Sequence, residues 1–386
     1  MWAIRAARLF DGESLVPAGV VVIGGDGRIA GVESTVPDGL DVVDLGGATL
    51  LPGLVDAHTH LVFDAGDDAV GRLDTVDDDA LLDGARTAAL TALEAGITTL
   101  RDLGDRGYVT MRLRDEFATE PGSGPQILAA GPPITTPRGH CWFLGGEARG
   151  ADGVRAAVRE RAERGADVIK VMASGGEITP GSRPWDAQFG LDELRAVVSE
   201  AHRLGLPATA HAHGAAAIAN VAAAGFDSLE HCSFRTPDGA QADPVIIDAL
   251  VQAGVTISAT LGHRPDQPVP PHIAELIPRF SRVFHQVRAS GARIVCSSDA
   301  GINRAKPHDV LPWGLSEMVD LLGYSTVEAL RSATSTAADV CRVGDRKGRI
   351  AVGYDADLLA VDGDPVADIA AVRAVAAVFR AGHRIR

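Results

Sequence analysis

The chain has 386 residues, 46% of them hydrophobic, and a formal net charge of -15. That acidic balance excludes an electrostatic face for nucleic acid or an anionic membrane, both of which require basic surface, and leaves a small molecule as the expected partner. Cys141, Cys232, Cys296 and Cys341 form no CxxC pair, so neither a disulfide framework nor a zinc ribbon is expected and a cytoplasmic location fits. Met1–Arg8 holds no long apolar stretch, and no run of eighteen apolar residues follows, so no leader or membrane span is expected.

Residues 1 to about 50 alternate short apolar runs with glycine turns, and Asp26-Gly27 between two such runs marks a hairpin. Leu50–Leu61 reads as one buried strand ending in His58-Thr59-His60. A unit then repeats: an amphipathic helix, a glycine able to take the left-handed conformation, and a short β-branched run. The runs follow Gly96, Gly165, Gly205, Gly225, Gly254 and Gly291. With the opening strand and Pro125–Ala130 they predict eight strands, hence an α/β fold of the (β/α)8 TIM-barrel type. Asp192 is expected to cap one intervening helix, and Asp243-Pro244 to start another. Beyond about residue 345 the β texture returns. The expected organisation is a composite β-sandwich from residues 1–52 and 347–386 beside a barrel at 53–346.

Chemistry in such barrels sits at the carboxyl ends of the strands. Alternate side chains of a strand share a face, so His58 and His60 can reach one ion, although an isolated His-x-His also suits two hydrogen-bonded core histidines. The other strands decide it. Lys170 lies on the fourth, His211 ends the fifth, His231 the sixth and Asp299 the eighth. Each has an ordinary structural explanation alone, but several unpaired ionisable groups at one rim are costly without an ion to bind them. Imidazole and carboxylate donors suit zinc first, with manganese, iron or nickel as alternatives. Four histidines and an aspartate exceed one tetrahedral site, so two divalent ions are expected, which at roughly 3.5 to 4 Å could hold a hydroxide and polarise a carbonyl.

Pro52–His60, these strand ends and the tail from Gly348-Arg349-Ile350 to Asp357-Leu358 resemble the amidohydrolase superfamily over nearly the whole chain. The resemblance implies that His58, His60, His211, His231 and Asp299 bind metal and that Lys170 is carbamylated and bridges two ions. It also implies that Asp299 shuttles a proton from the bridging hydroxide. Ile169–Gly176, His211-Ala212-His213-Gly214, Ser228–His231 and Arg138-Gly139-His140 resemble the subgroup of Xaa-Pro dipeptidases and related carboxypeptidases, in which the histidine at 140 lies near substrate. Peptidase members tend to carry a tyrosine three residues after the sixth-strand histidine. Here Phe234 stands there, so oxyanion stabilisation passes to His213 or His140, or the substrate differs.

The expected function is hydrolysis of an amide C–N bond, in a dipeptide, N-acyl amino acid or cyclic amide, by a metal-bridging hydroxide. The expected catalytic residues are Asp299, His213 and His140, and the expected substrate contacts are His140, Arg138, His213, His263, Phe234 and Trp142. Arg183 and Arg264 are further candidates for a substrate carboxylate, and Phe143 and Trp185 for an apolar wall. His202, His272, His285, His308 and His383 are expected to be surface or packing residues. The same centre would serve a lactone, ester or phosphotriester. A deaminase is disfavoured because the fifth strand lacks His-x-x-Glu, and a Schiff-base aldolase on Lys170 would have no use for His58, His60 and His231. A scaffold that has lost its ligands is disfavoured because no ligand position is vacant. Homo-oligomers are common for such barrels.

Overall fold

The expected single strand at Leu50–Leu61 is two strands, Thr49–Pro52 and Leu54–Thr59, and Gly53 passes the chain between two sheets. The Gly53 N–H donates to the Asp357 carbonyl at 2.8 Å, while the next N–H, of Leu54, donates to Gly96 at 2.9 Å. A Cβ at 53 would lie 2.2 Å from Thr98 Oγ1, so the crossing needs a residue without a side chain. The computed structural model describes residues 1–16 and 19–386.

Each expected parallel strand is present. Leu54–Thr59 pairs in parallel with Ile97–Asp102, which pairs with Gln126–Ala129. Ile169–Met172, Ala208–Gly214, Ser228–Thr236, Thr256–Thr260 and Ile294–Ser297 follow one another as parallel neighbours. Parallel bridges Ile134 to Val171 and Thr59 to Ala300 link the two groups at both edges, consistent with a TIM-type barrel. The glycines before the strands take the expected left-handed φ, +88° at Gly96 and +82° at Gly225, for example. Connecting helices bury one stripe: Asp78–Glu94 turns Leu81, Leu82, Ala85, Ala89 and Leu93 inward. Asp243 caps Pro244–Gln252 as expected. Asp192 does not cap its helix. It lies inside the first turn of Leu191–Arg203, where Glu193 instead accepts from the Gly190 N–H at 3.1 Å.

Both ends of the chain share one antiparallel-rich sheet, ordered His383–Arg384, Val375–Arg380, Leu358–Val361, Thr49–Pro52, Arg8–Phe10 and Leu15–Val16. A second sheet joins Ile29–Glu33, Val20–Ile23, Trp2–Arg5 and Asp41–Asp44, with the hairpin at Asp26-Gly27 as expected. One apolar cluster links them through Ile4, Val21, Ile29, Leu50, Leu358 and Phe379.

Where the tail meets this layer, a buried charge network replaces apolar packing. Lys347 Nζ donates to Asp355 at 2.8 Å and to Asp357 at 2.5 Å, and Arg380 donates to Asp357 at 3.0 Å. Burial would raise the Asp357 carboxyl, but Lys347 and Arg380 hold it below its ordinary value. Replacing Lys347 by Met should therefore cost about 3 to 5 kcal/mol, because two carboxylates lose a shared buried counter-ion. Urea unfolding would measure this, and an unchanged midpoint would show that the arginines alone satisfy the pair.

Candidate active site

Parallel strands aim their carboxyl ends the same way, and here that end opens into a cavity of about 570 Å³. His58, His60, Lys170, His211, His231 and Asp299 all line it, together with His140, His213 and His263. Two donor clusters form. In one, His58 Nε2 and His60 Nε2 are 3.2 Å apart and each is 3.3 Å from Asp299 Oδ1. The other joins His211 and His231 with His213 rather than Lys170, its ligating atoms all within 4.8 Å of one another. The His213 and His231 rings stack with centroids 4.5 Å apart.

Each of these histidines spends one ring nitrogen on the protein and leaves the other for the cavity. His58 Nδ1 stands 2.9 Å from Glu230 Oε2, and His60 Nδ1 is 3.3 Å from the Gly104 carbonyl. His211 Nε2 contacts the Gly175 carbonyl at 3.0 Å. His231 Nδ1 meets Thr260 Oγ1 at 2.9 Å, His213 Nδ1 meets Ser233 Oγ at 2.7 Å, and His140 Nδ1 meets Thr179 Oγ1 at 2.9 Å. The backbone turns sharply to present them: φ is +71° at His231 and +56° at Asp299. Such positions cost about 1 to 3 kcal/mol each and cluster at functional sites.

Burial keeps the imidazoles of His58, His140, His211, His213 and His231 neutral, which is the form that donates a lone pair. Burial, reinforced by the charge of Lys170, lowers His58 to about 4, and burial lowers His140 and His213 to about 3, the latter with help from His140 and Arg235. Lys170 is pushed down to about 8 by burial, and its Nζ has no hydrogen-bond partner among the described residues. Burial would raise Asp299, but His58 and His60 hold it below the usual carboxylate range. Asp56 ties the first strand to the eighth by accepting from the His58 N–H at 3.2 Å and the Ser298 N–H at 3.0 Å.

Other expected contacts fall elsewhere. Phe234 is fully buried in the hydrophobic core: the strand is bulged beyond His231, with φ +52° at Cys232 and +50° at Phe234, and every second residue, His231, Ser233 and Arg235, lines the cavity while Cys232 and Phe234 do not. Position 234 therefore cannot offer a side chain to substrate. Arg138 stacks on Trp142 at 3.9 Å, and neither lines the cavity. Arg183 pairs with Asp186 at 2.6 Å and Arg264 with Asp309, both away from the cavity lining, as are Phe143 and Trp185. His272, expected at the surface, is exposed but also borders the cavity, 3.9 Å from Glu177. His308 is a packing residue, its Nε2 3.1 Å from the His60 carbonyl.

Several residues at the site escaped sequence reasoning. Arg235 was findable by counting in twos from His231. Glu230 stood within a quoted motif, but nothing in the sequence linked it to Arg101. Glu177 and Lys306 lie in loops with no pattern to mark them; Lys306 Nζ donates to the Ser298 carbonyl at 2.6 Å and the Thr260 carbonyl at 3.2 Å.

Parallel strands that gather histidines and an acid at one cavity define the class as a hydrolase of α/β architecture with sites able to hold metal ions. The chain belongs to the amidohydrolase family, whose sequence model matches residues 49–385. Ochratoxinase from Aspergillus niger is 29% identical over 365 residues, 83% of this chain and 71% of that protein. Among solved structures, an Xaa-Pro dipeptidase with bound methionine in its active site superposes with a TM-score of 0.88 at 30% identity, covering 100% of this chain and 99% of that one. A prolidase complexed with N-methylphosphonate-L-proline gives 0.86 at 27% identity over 100% and 99%.

Neutral buried histidines carry a pH signature. Below the unfolded value of about 6.5 the unfolded chain takes up protons that the folded chain refuses until about pH 4 or lower, so the rings lower stability as pH drops through that window, opposed by the fewer buried acids Asp56 and Asp102, which burial raises to about 6 and about 7. Unfolding by urea in the presence of a chelator should show a lower midpoint at pH 5 than at pH 7.5. Equal midpoints would show that the rings do not outweigh the buried acids.

Proposed function

We propose that this chain is a binuclear metal-dependent hydrolase of an amide C–N bond, in a dipeptide, an N-acyl amino acid or a cyclic amide. The observation that carries it is the pair of donor clusters sharing one cavity with a buried amine that has no hydrogen-bond partner among the described residues. His58, His60 and Asp299 would hold one divalent ion, and His211 and His231 the other. Lys170, lowered to about 8 by burial so that a share of it is free amine, would add carbon dioxide, lose a proton and offer the ions two carbamate oxygens. Zinc is our first assignment, with manganese, iron and nickel compatible with the same donors. Bound there, the ions would supply a nucleophile from water at neutral pH and polarise the carbonyl.

The remaining work falls to side chains. Asp299, ionised and between two imidazoles, would accept a proton and pass it to the leaving amine. His140 and His213, each oriented through Nδ1, would turn Nε2 to the charge growing on the carbonyl oxygen, a task that position 234 cannot perform. Glu230, by fixing the tautomer of His58, would aim its Nε2 at the ion. We further assign residues 53–346 to a closed (β/α)8 barrel and residues 1–52 with 347–386 to a composite β-sandwich. Likeness to an ochratoxinase, an Xaa-Pro dipeptidase and a prolidase supports the amide reading.

Parallel assays on dipeptides, N-acyl amino acids and lactones test the reading. Amide turnover should require metal and fall by at least about a thousandfold in D299N, since a group that moves the proton is worth about 10² to 10⁴ and this one also binds metal. Rapid lactone turnover with no amide cleavage would overturn the amide assignment. Chelator competition should show E230Q holding metal about 10 to 100 times more weakly than the parent, and equal affinity would remove Glu230 from the site's support.

A further inference from the structure

The cavity has a second end. Beyond the histidines its wall is apolar, formed by Ile273, Ile277, Phe280 and Phe284, and a single guanidinium stands where the two regions meet. Arg235 places its Cζ 5.9 Å from the Phe280 ring centroid, and its charge also bears on His213. The other cations of the lining are committed. Lys306 donates to backbone carbonyls, and Lys170 belongs to the site already described. Arg235 is not. Its side chain is 11% exposed, and its Nε is buried with no hydrogen-bond partner among the described residues. Its one anionic partner among the described residues is Glu177, 2.9 Å from NH1 and itself 41% exposed.

Leaving a buried guanidinium donor unmade is costly, whereas a carboxylate can take two parallel N–H bonds from the same fork. Glu177 takes only one of the available donors and sits on a loop at the cavity's edge, so an incoming carboxylate can replace it at little cost. The place is fixed by register: His231 pairs with Ala212 and Arg235 with Gly214, so the bulged step from one to the other advances only as far as two residues of the neighbouring strand, roughly 7 Å at 3.3 Å per residue. A molecule with its amide at the donor clusters can therefore reach Arg235 with a group on the same half.

We propose that Arg235 is the anchor for a carboxylate of the substrate, that Glu177 occupies this position in the free enzyme, and that an apolar group beside the carboxylate packs on Phe280. The substrate class is then an amide with an acidic, aromatic or aliphatic half, such as an N-acylated hydrophobic amino acid. This rests on the amide reading for the reaction, but its test does not. The probes are 3-phenylpropionate, which carries acid and ring with no bond to hydrolyse, and the neutral 3-phenylpropanol, each titrated by calorimetry into the metal-loaded enzyme.

The parent should bind the acid more tightly than the alcohol. R235Q should weaken the acid by about tenfold or more, as expected for a lost charge-assisted pair, and leave the alcohol unchanged. R235K should fall between. E177Q, at an exposed position and safe for folding, should bind the acid more tightly than the parent by removing its competitor. Equal binding of acid and alcohol by the parent, or undiminished acid binding by R235Q, overturns the anchor. Weaker acid binding by E177Q overturns the displacement. Because every readout is binding, a failure to cleave any amide would count against the proposed reaction alone.

Discussion

The structure turns on one carboxylate without access to water. Glu230 is fully buried, and it persists there because three other strands reach it: Arg101 NH2 at 3.1 Å, Thr209 Oγ1 at 2.5 Å and His58 Nδ1 at 2.9 Å. Arg101 is buried as well, and its Nε donates to the Ala57 carbonyl at 2.7 Å, beside His58. A slip of any of these strands by one residue would reverse its faces and strand a charge in the interior, so the network specifies register as well as the tautomer of a candidate ligand. The first, second, fifth and sixth parallel strands are coordinated through a single side chain.

That constraint also fixes where the donor clusters stand. The imidazoles are each held by a separate acceptor or hydroxyl rather than by their neighbours. The left-handed backbone at His231 and Asp299 is tolerated because packed strands on either side leave no alternative path.

The two ends of the cavity divide the labour. The histidine end holds groups suited to activating water and a carbonyl, and these sit on rigid strands. The far end is built from the helices Pro271–Ala274 and Ile277–Ala289 and from loops, elements that can vary without disturbing the strands. Hydrolases sharing the first end can therefore differ widely in what they accept at the second.

Reading the chain alone was enough for the strand order, the left-handed glycines and the residues that line the cavity at the strand ends, because these follow from local periodicity and from the common direction of parallel strands. The same reading merged two strands across Gly53, since a close approach to Thr98 leaves no local trace. It also chose Phe234 over Arg235, where attention to alternation from His231 would have corrected the choice. Loop arginines were beyond it altogether: only folding decided that Arg138, Arg183 and Arg264 find partners away from the cavity. The difference is physical. Facing direction within a strand is a property of neighbours in sequence, whereas the pairing of a long charged side chain depends on which distant groups the fold brings within a few ångströms of it.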